Sequence, residues 1–425
     1  MNAEVKPGYR KTEMGVIPNE WQVKSLSEVS DKIMVGIASS ATHAYRSEGV
    51  PLLRNQNIKP GYLDDADVLY VARSYEEGFK NKRLLANDIL IARTGYPGTA
   101  CVVPEKFSAA QSFTTLIARP TNSKVDSFYL CYYINSEFGQ AFFEQTQIGG
   151  AQKNVNAASL QKMPVPLPTL GEQKKIASAL STVDDLISIL DQLIAKKRDI
   201  QQAAMQQLLT GQRRLPGFSG EWDVKRLGNH LSFLRHGTNS RAELSTEGDV
   251  HYLHYGDIHG SQHLLLNPAK TSMPYLPRDK AKRLDRLDSG DLVFADASED
   301  LDGIGKSVEV QLPEDMELVS GLHTIAVRFD KKVMTDGFKA YLQFIPTFRL
   351  HLRQLAAGTK VYATNRAHIA SAELKIPGIE EQTAIATILS DMDSELATLE
   401  ARRDKARLLK QGMMQELLTG RIRLV

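Results

Sequence analysis

Apolar residues fall at heptad spacing in two stretches of this chain. One runs Ile176, Leu180, Val183, Ile187, Leu190 and Ile194; the other runs Ile385, Leu389, Met392, Leu396 and Leu399. Steps of four and three place each set on one helix face. Both seams thin, at Arg198 and Gln201 in the first and at Arg403 and Lys410 in the second. They resume at Met205-Leu208-Leu209 and Met413-Met414-Leu417-Leu418. Each run stops at Thr-Gly, where Gly211 and Gly420 suit the left-handed position that closes a helix. Pro164, Pro166 and Pro168 precede the first run and Pro377 the second, as befits a residue that cannot sit inside a helix. The pattern predicts two helices of roughly 40 residues, ~60 Å each at ~1.5 Å per residue. A helix of that length with one apolar stripe needs a partner. Similar seam lengths and matching weak points favour pairing within the chain over a homodimeric coiled coil. Charged positions such as Lys174, Lys175, Asp184, Asp185, Lys196 and Lys197 read as solvated faces, with partner docking as the other reading.

The two runs are copies. At an offset of 209, Glu172-Gln173 matches Glu381-Gln382, Ile176-Ala177 matches Ile385-Ala386, and Leu208-Leu209-Thr210-Gly211 matches Leu417-Leu418-Thr419-Gly420. Between Glu172 and Leu215, 19 of 44 positions are identical to their partners, far beyond chance. Weaker echoes lie outside the helices. Glu20-Trp21 answers Glu221-Trp222, Asn87-Asp88-Ile89-Leu90 answers Gly290-Asp291-Leu292-Val293, and Thr115 to Arg119 answers Thr324 to Arg328. The order is therefore globular, helix, globular, helix. The globular parts carry short β-rich runs, at Val50–Leu53, Asp88–Ala92, Thr99–Val103 and Thr114–Ala118, and one aromatic helical stretch between Asp126 and Gln145, whose rings read as core rather than a stacking platform. The class is α+β. Two copies with diverged surfaces suit a protein that reads two different things at a fixed separation; simple drift after duplication is the plainer alternative.

Composition changes this picture little. Of 425 residues, 42% are apolar and 24% charged, and the net charge is +2 from 52 basic and 50 acidic groups. A nucleic-acid binder this neutral needs its cations gathered on one face, or partner subunits to supply phosphate contacts. No stretch is long and apolar enough for a membrane span, and Met1 to Tyr9 is polar. With only Cys101 and Cys131, no disulfide framework is expected, so a cytoplasmic location is. Catalytic motifs fail on inspection. Gly303-Ile304-Gly305-Lys306-Ser307 imitates the end of a phosphate loop, but Asp300 stands where its first glycine belongs. His251, His254, His259 and His263 raise the question of zinc. No cysteine joins them, and polar contacts are the better reading.

At this point the residues point to one family. Lys6-Pro7-Gly8-Tyr9 through Val16-Ile17-Pro18-Asn19-Glu20-Trp21, the stretch Pro166-Leu167-Pro168-Thr169-Leu170-Gly171-Glu172-Gln173 with Ile176-Ala177 and Leu180 beyond it, and Asn87 to Gly98 resemble the specificity subunit of type I restriction–modification systems. The resemblance spans the chain. It implies two target recognition domains, 1–165 and 216–377, each reading one half of a bipartite double-stranded DNA site. Two conserved helices, 166–215 and 378–425, would pair antiparallel as a spacer. It further implies two methyltransferase subunits docked on the helices, at Glu172, Gln173, Ile176, Leu180, Glu381, Gln382, Ile385 and Leu389. Restriction subunits would complete the complex. No cofactor is expected on this chain; S-adenosylmethionine, ATP and Mg would belong to partners. The stand-alone nuclease or methyltransferase, and the protein-binding scaffold, are the competing readings.

Within that frame, candidate DNA contacts follow from side-chain chemistry. Arg54, Gln56 and Asn57 end a strand, and Arg and carboxamides suit guanine and adenine edges. His254, Tyr255 and Asp257 are their counterparts with a different donor and acceptor pattern. Arg93, Thr94 and Tyr96 form a turn able to approach the backbone. Gln152, Lys153 and Asn154 lie in a polar loop, answered by Lys360, Tyr362 and Arg366. In the second copy Asp296 to Gly303 replaces the turn at Arg93 to Gly98, and its acidic residues argue against phosphate there.

Overall fold

The computed structural model describes residues 6–146, 154–358 and 361–425. Two compact units emerge, one of residues 1–191 with 401–425 and one of residues 192–400. Each long helix, Leu170–Leu208 and Ile379–Leu417, is 39 residues long and is shared between the units.

In the first unit, period-two alternation covers both faces of one antiparallel sheet. Its strands run in the order Ala100–Val102, Ile89–Ile91, Leu116–Pro120, Ser30–Val35. Ile89, Ile91, Leu116 and Ala118 turn toward the aromatic helix, while Leu90, Cys101 and Ile117 turn the other way, toward Leu53 and Val103. A second sheet sets Gln111–Phe113 parallel to Val50–Arg54. The aromatic stretch forms two helices, Ser127–Asn135 and Glu137–Thr146, broken at Ser136. The break is tight: a Cβ on Gly139 would sit 2.3 Å from the Ile134 carbonyl oxygen. Tyr129, Tyr132, Tyr133 and Phe143 are core and only Phe128 is half exposed, so the rings do not form a stacking platform.

The second unit repeats the plan. Leu292–Ala295 lies between Ser307–Val310 and Thr324–Phe329, as Ile89–Ile91 lies between its neighbours. Val250–Leu253 runs parallel to Glu317–Ser320, as Val50–Arg54 does to Gln111–Phe113.

Within the first unit, residues 170–191 lie antiparallel to 401–417, with Lys410 paired to Asp184 at 2.6 Å and Arg407 to Asp191 at 3.1 Å. Within the second, residues 192–208 lie antiparallel to 379–400, with Lys197 on Glu395 at 2.7 Å and Gln201 on Asp393 at 2.6 Å. The start of each seam serves a different purpose. Ile176 and Leu180 enter the first unit's core, and Ile385 and Leu389 the second's.

The repeated Glu-Gln pair fastens each helix to its globular part. Glu172 is 3% exposed and receives the Arg423 guanidinium through two bonds of 2.6 and 2.9 Å, with Arg423 stacked over Trp21. Glu381 receives Arg214 through bonds of 2.6 and 2.7 Å, with Arg214 over Trp222. Gln173 accepts from the Asp126 amide and donates to the Pro168 carbonyl; Gln382 accepts from Thr335 and donates to Pro377. Glu172, Gln173, Ile176, Leu180, Glu381, Gln382, Ile385 and Leu389, the residues at which the resemblance put methyltransferase docking, are all buried inside their own unit. They build the helix attachment, because a buried carboxylate or carboxamide must be paired from within.

Glu309 is the polar interruption of an apolar strand. It accepts from the Gly337 and Ala340 amides, at 2.6 and 2.9 Å, and lies 3.8 Å from the buried Lys339 ammonium. Burial nevertheless pushes its carboxyl up to about 7.

Two outcomes are expected. Arg423→Ala strands the buried Glu172 carboxylate and costs ~3 kcal/mol, which thermal unfolding reads as a lower Tm; exposed Arg421→Ala is the control. Equal Tm values for the two variants would remove the clamp from the account. For Glu309, the folded chain holds a proton that the unfolded chain releases near its ordinary value. Its contribution is therefore full below pH ~4.5 and is lost as pH rises to about 7, a fall of order 3 kcal/mol. Glu309→Gln should flatten that part of the stability–pH curve; an unchanged slope would contradict it.

Candidate nucleic-acid interface

The first unit's candidate residues converge at the end of the strand Val50–Arg54. There the chain turns through Asn55–Asn57, because Asn57 closes a box: its Oδ1 accepts from the Arg54 amide at 2.9 Å. Its Nδ2 donates to the Asp64 and Asp67 carbonyls, both at 3.0 Å, and the residue is 2% exposed. Asn57 thus shapes the loop and offers nothing outward. Arg54 and Gln56 are held by one group: Asp67 Oδ2 accepts from Arg54 Nη2 at 2.8 Å and from Gln56 Nε2 at 2.7 Å.

Asn55 ties this loop to the next one. Its Oδ1 accepts from the Arg93 amide at 2.8 Å, and its Nδ2 faces the Thr114 hydroxyl at 3.4 Å. Thr114 sits at φ +54°, a left-handed conformation unusual for a β-branched residue. Arg93 Nε donates to Asn154 Oδ1 at 2.9 Å, which brings the third candidate loop against the turn. Gln152 and Lys153 lie outside the described residues. Gly95 at φ +80° allows the turn after Thr94, and Tyr96 stands 86% exposed at its tip. Between the strand end, the Ile58–Leu63 hairpin and this turn lies a cleft of about 670 Å³, lined by Arg54, Gln56, Thr94, Tyr96 and Phe113 among others.

The second unit builds the same box with other chemistry. Asp257 Oδ2 accepts from the His254 amide at 3.0 Å, as Asn57 does from Arg54. His254 Nδ1 accepts from the Gly256 amide, and burial lowers this imidazole's affinity for a proton, with Arg241 adding repulsion. The Tyr255 ring is flanked by His254 at 4.5 Å and His323 at 5.5 Å. Other groups are tied locally. Arg366 donates to the Leu234 carbonyl at 2.9 Å and lies over Phe233. Tyr362 belongs to a two-residue strand on Ala297–Ser298, and Lys360 lies outside the described residues.

The acidic turn is largely structural: Asp300 accepts from the Gly303 amide at 2.6 Å, and Asp302 is held by Arg349 and Arg353. Lys306 donates to the His259 carbonyl at 2.7 Å, and His259 Nε2 to that of Ala297 at 2.8 Å. His251 packs on Tyr275. Among the described residues, no group of three His, Cys, Asp or Glu could hold a metal ion. The two thiols are buried, and burial pushes Cys131 up to about 12.

Sequence reasoning missed Asp67 and Thr114, and took Asn55 as part of the reading strand end rather than as the tie between two loops. Asp67 sits ten residues beyond Asn57 in an irregular loop, and only folding brings it back.

Comparison with known proteins places this geometry. Residues 18–196 match the type I restriction modification DNA specificity domain. The putative MjaX specificity subunit of Methanocaldococcus jannaschii is 23% identical, over 98% of this chain and 96% of that one. The StySPI specificity subunit of Salmonella potsdam is 22% identical, over 96% and 90%. In fold, the chain is similar to the S subunit of a type I system from M. genitalium, with TM-score 0.61 and 12% identity over 98% of both chains. It is also similar to a chain from a structure of a type I R-M system assembly, with TM-score 0.58 and 16% identity over 96% and 99%. Residues 18–196 thus match a DNA specificity domain, and the whole chain is similar in sequence and fold to the specificity subunits of type I restriction–modification systems.

Loop-building and outward-facing residues should separate experimentally. Asn57→Ala leaves the Arg54 amide and two carbonyls without partners and should cost ~1–3 kcal/mol, whereas Gln56→Ala should leave Tm within a degree or so. Equal losses on thermal unfolding would show that Asn57 does not hold the loop.

Proposed function

We propose that each unit reads one half of a bipartite, asymmetric double-stranded DNA target, and that the paired helices set the gap between the halves. One observation supports this most: the same strand-end box recurs in both units, yet it carries Arg54 and Gln56 in one and His254 and Tyr255 in the other. Arg and Gln suit purine acceptor edges, and the His-Tyr surface offers a different pattern, as two unlike half-sites require.

Methyltransferase subunits are the expected partners, two per chain, with restriction subunits completing the complex. S-adenosylmethionine, ATP and Mg would act on those partners. With Glu172 and Gln173 buried, docking falls to the outward helix faces, at Lys174, Lys175 and Ser178 in the first and Thr383 and Thr387 in the second. A chain of net charge +2 draws part of its phosphate contact from such partners.

The test is a methylation map. The chain is expressed with its cognate methyltransferase subunit in a host lacking DNA methylation, and every N6-methyladenine is located. An asymmetric two-part motif with a fixed gap is expected. A soluble complex that methylates no motif would overturn the reading. Arg54→Ala should then relax only the half-site read by the first unit, at a cost of ~1–3 kcal/mol; an unchanged map would exclude Arg54 as a reader.

A further inference from the structure

The first unit's reading residues have a shape that the duplex alone does not explain. Side chains that read base edges in an intact major groove must project into it. Arg54 and Gln56 open onto a concave cleft of about 670 Å³, where Asp67 accepts a hydrogen bond from each. The exposed tip nearby is the ring of Tyr96. A convex duplex laid across this surface meets Tyr96 first and leaves the cleft unfilled.

The lining indicates what enters. Ile58 and Phe113 supply apolar surface, Arg54 and Lys59 supply positive charge, Gln56 and Thr94 supply neutral polar groups, and Tyr96 supplies an aromatic face. A phosphate gains nothing from the apolar part. A flat group with an apolar face and hydrogen-bonding edges gains from all of it, and ~670 Å³ is in the range of sites that hold small ligands. The wall behind is built with strain, since Thr114 keeps φ +54° beside Asn55, and such strain gathers where a site must be shaped in advance.

We propose that this cleft receives one nucleobase turned out of the duplex within the half-site read by the first unit, with Tyr96 stacking on it or taking its place in the helix. The base is other than the methylated adenine, which the methyltransferase must itself reach. This inference rests on the DNA-reading function proposed above. It is confined to the first unit. In the second, Ala297–Ser298 pairs with Tyr362–Ala363 and Asp302 is held by two arginines, so the matching turn is fastened differently.

The test uses the complex with its methyltransferase subunit and a duplex carrying the mapped target. Fluorescent base analogues replace each position of the half-site in turn. A rise is expected at one position besides the methylated adenine. A mismatch at that position should tighten binding roughly tenfold, since the cost of unpairing is already met. Tyr96→Ala should abolish the extra rise while leaving the one at the adenine, and Tyr96→Phe should retain both; the exposed ring makes either variant safe for folding. Specific binding with a rise only at the adenine, and no gain from mismatches, overturns the proposal and leaves the two-half-site reading intact. Absence of any preference for that half-site overturns both.

Discussion

A buried carboxylate at the start of each long helix, gripped by an arginine from beyond the end of the other, organises this protein. Glu172 takes Arg423 and Glu381 takes Arg214. Neither carboxylate tolerates burial alone. Each pair therefore fixes in one stroke where a helix begins, which helix lies beside it in the opposite sense, and which tryptophan closes over the joint. In the second unit the linker bearing Arg214 runs straight on to Trp222, whereas in the first Arg423 comes from the far end of the chain to Trp21. One joint is continuous in sequence and its copy is made by packing alone.

The strand-end loops show the opposite economy. Their scaffold is conserved between copies to the level of a single hydrogen bond, from Asn57 to the Arg54 amide and from Asp257 to the His254 amide. The outward groups differ. A box of that kind constrains backbone and one inward side chain, so the remaining side chains are free to vary without cost to the fold. That freedom is what a specificity subunit needs.

Much of this was legible in the residues. The heptad seams, the 209-residue offset and the Thr-Gly stops gave two helices, their pairing and the repeat, because periodicity and left-handed glycines are local properties. The strand runs at Val50, Asp88, Thr99 and Thr114 appear close to where their β-rich composition put them. The roles of particular polar residues were less legible. Glu172 and Gln173 looked like a docking signature, and in the fold they and Glu381 and Gln382 bolt each helix to its own unit, since a repeated polar pair reads the same whether it faces a partner protein or the chain's own core. Asn57 looked like a reader, and its amide donors are taken by backbone carbonyls that only the fold brings near; Arg366 gives one donor to the Leu234 carbonyl and remains exposed.

The sequence by itself determined the elements and the repeat, which depend on neighbours within a few residues or on comparison of one stretch with another, and it carried the resemblance to a family. Tertiary structure alone decided which polar groups remain unspent. Whether Arg54 faces outward depends on Asp67, and whether Arg93 is free depends on Asn154 sixty-one residues away. Hydrogen bonds are short and directional, so a side chain's availability is settled only when every possible partner has found its place in three dimensions.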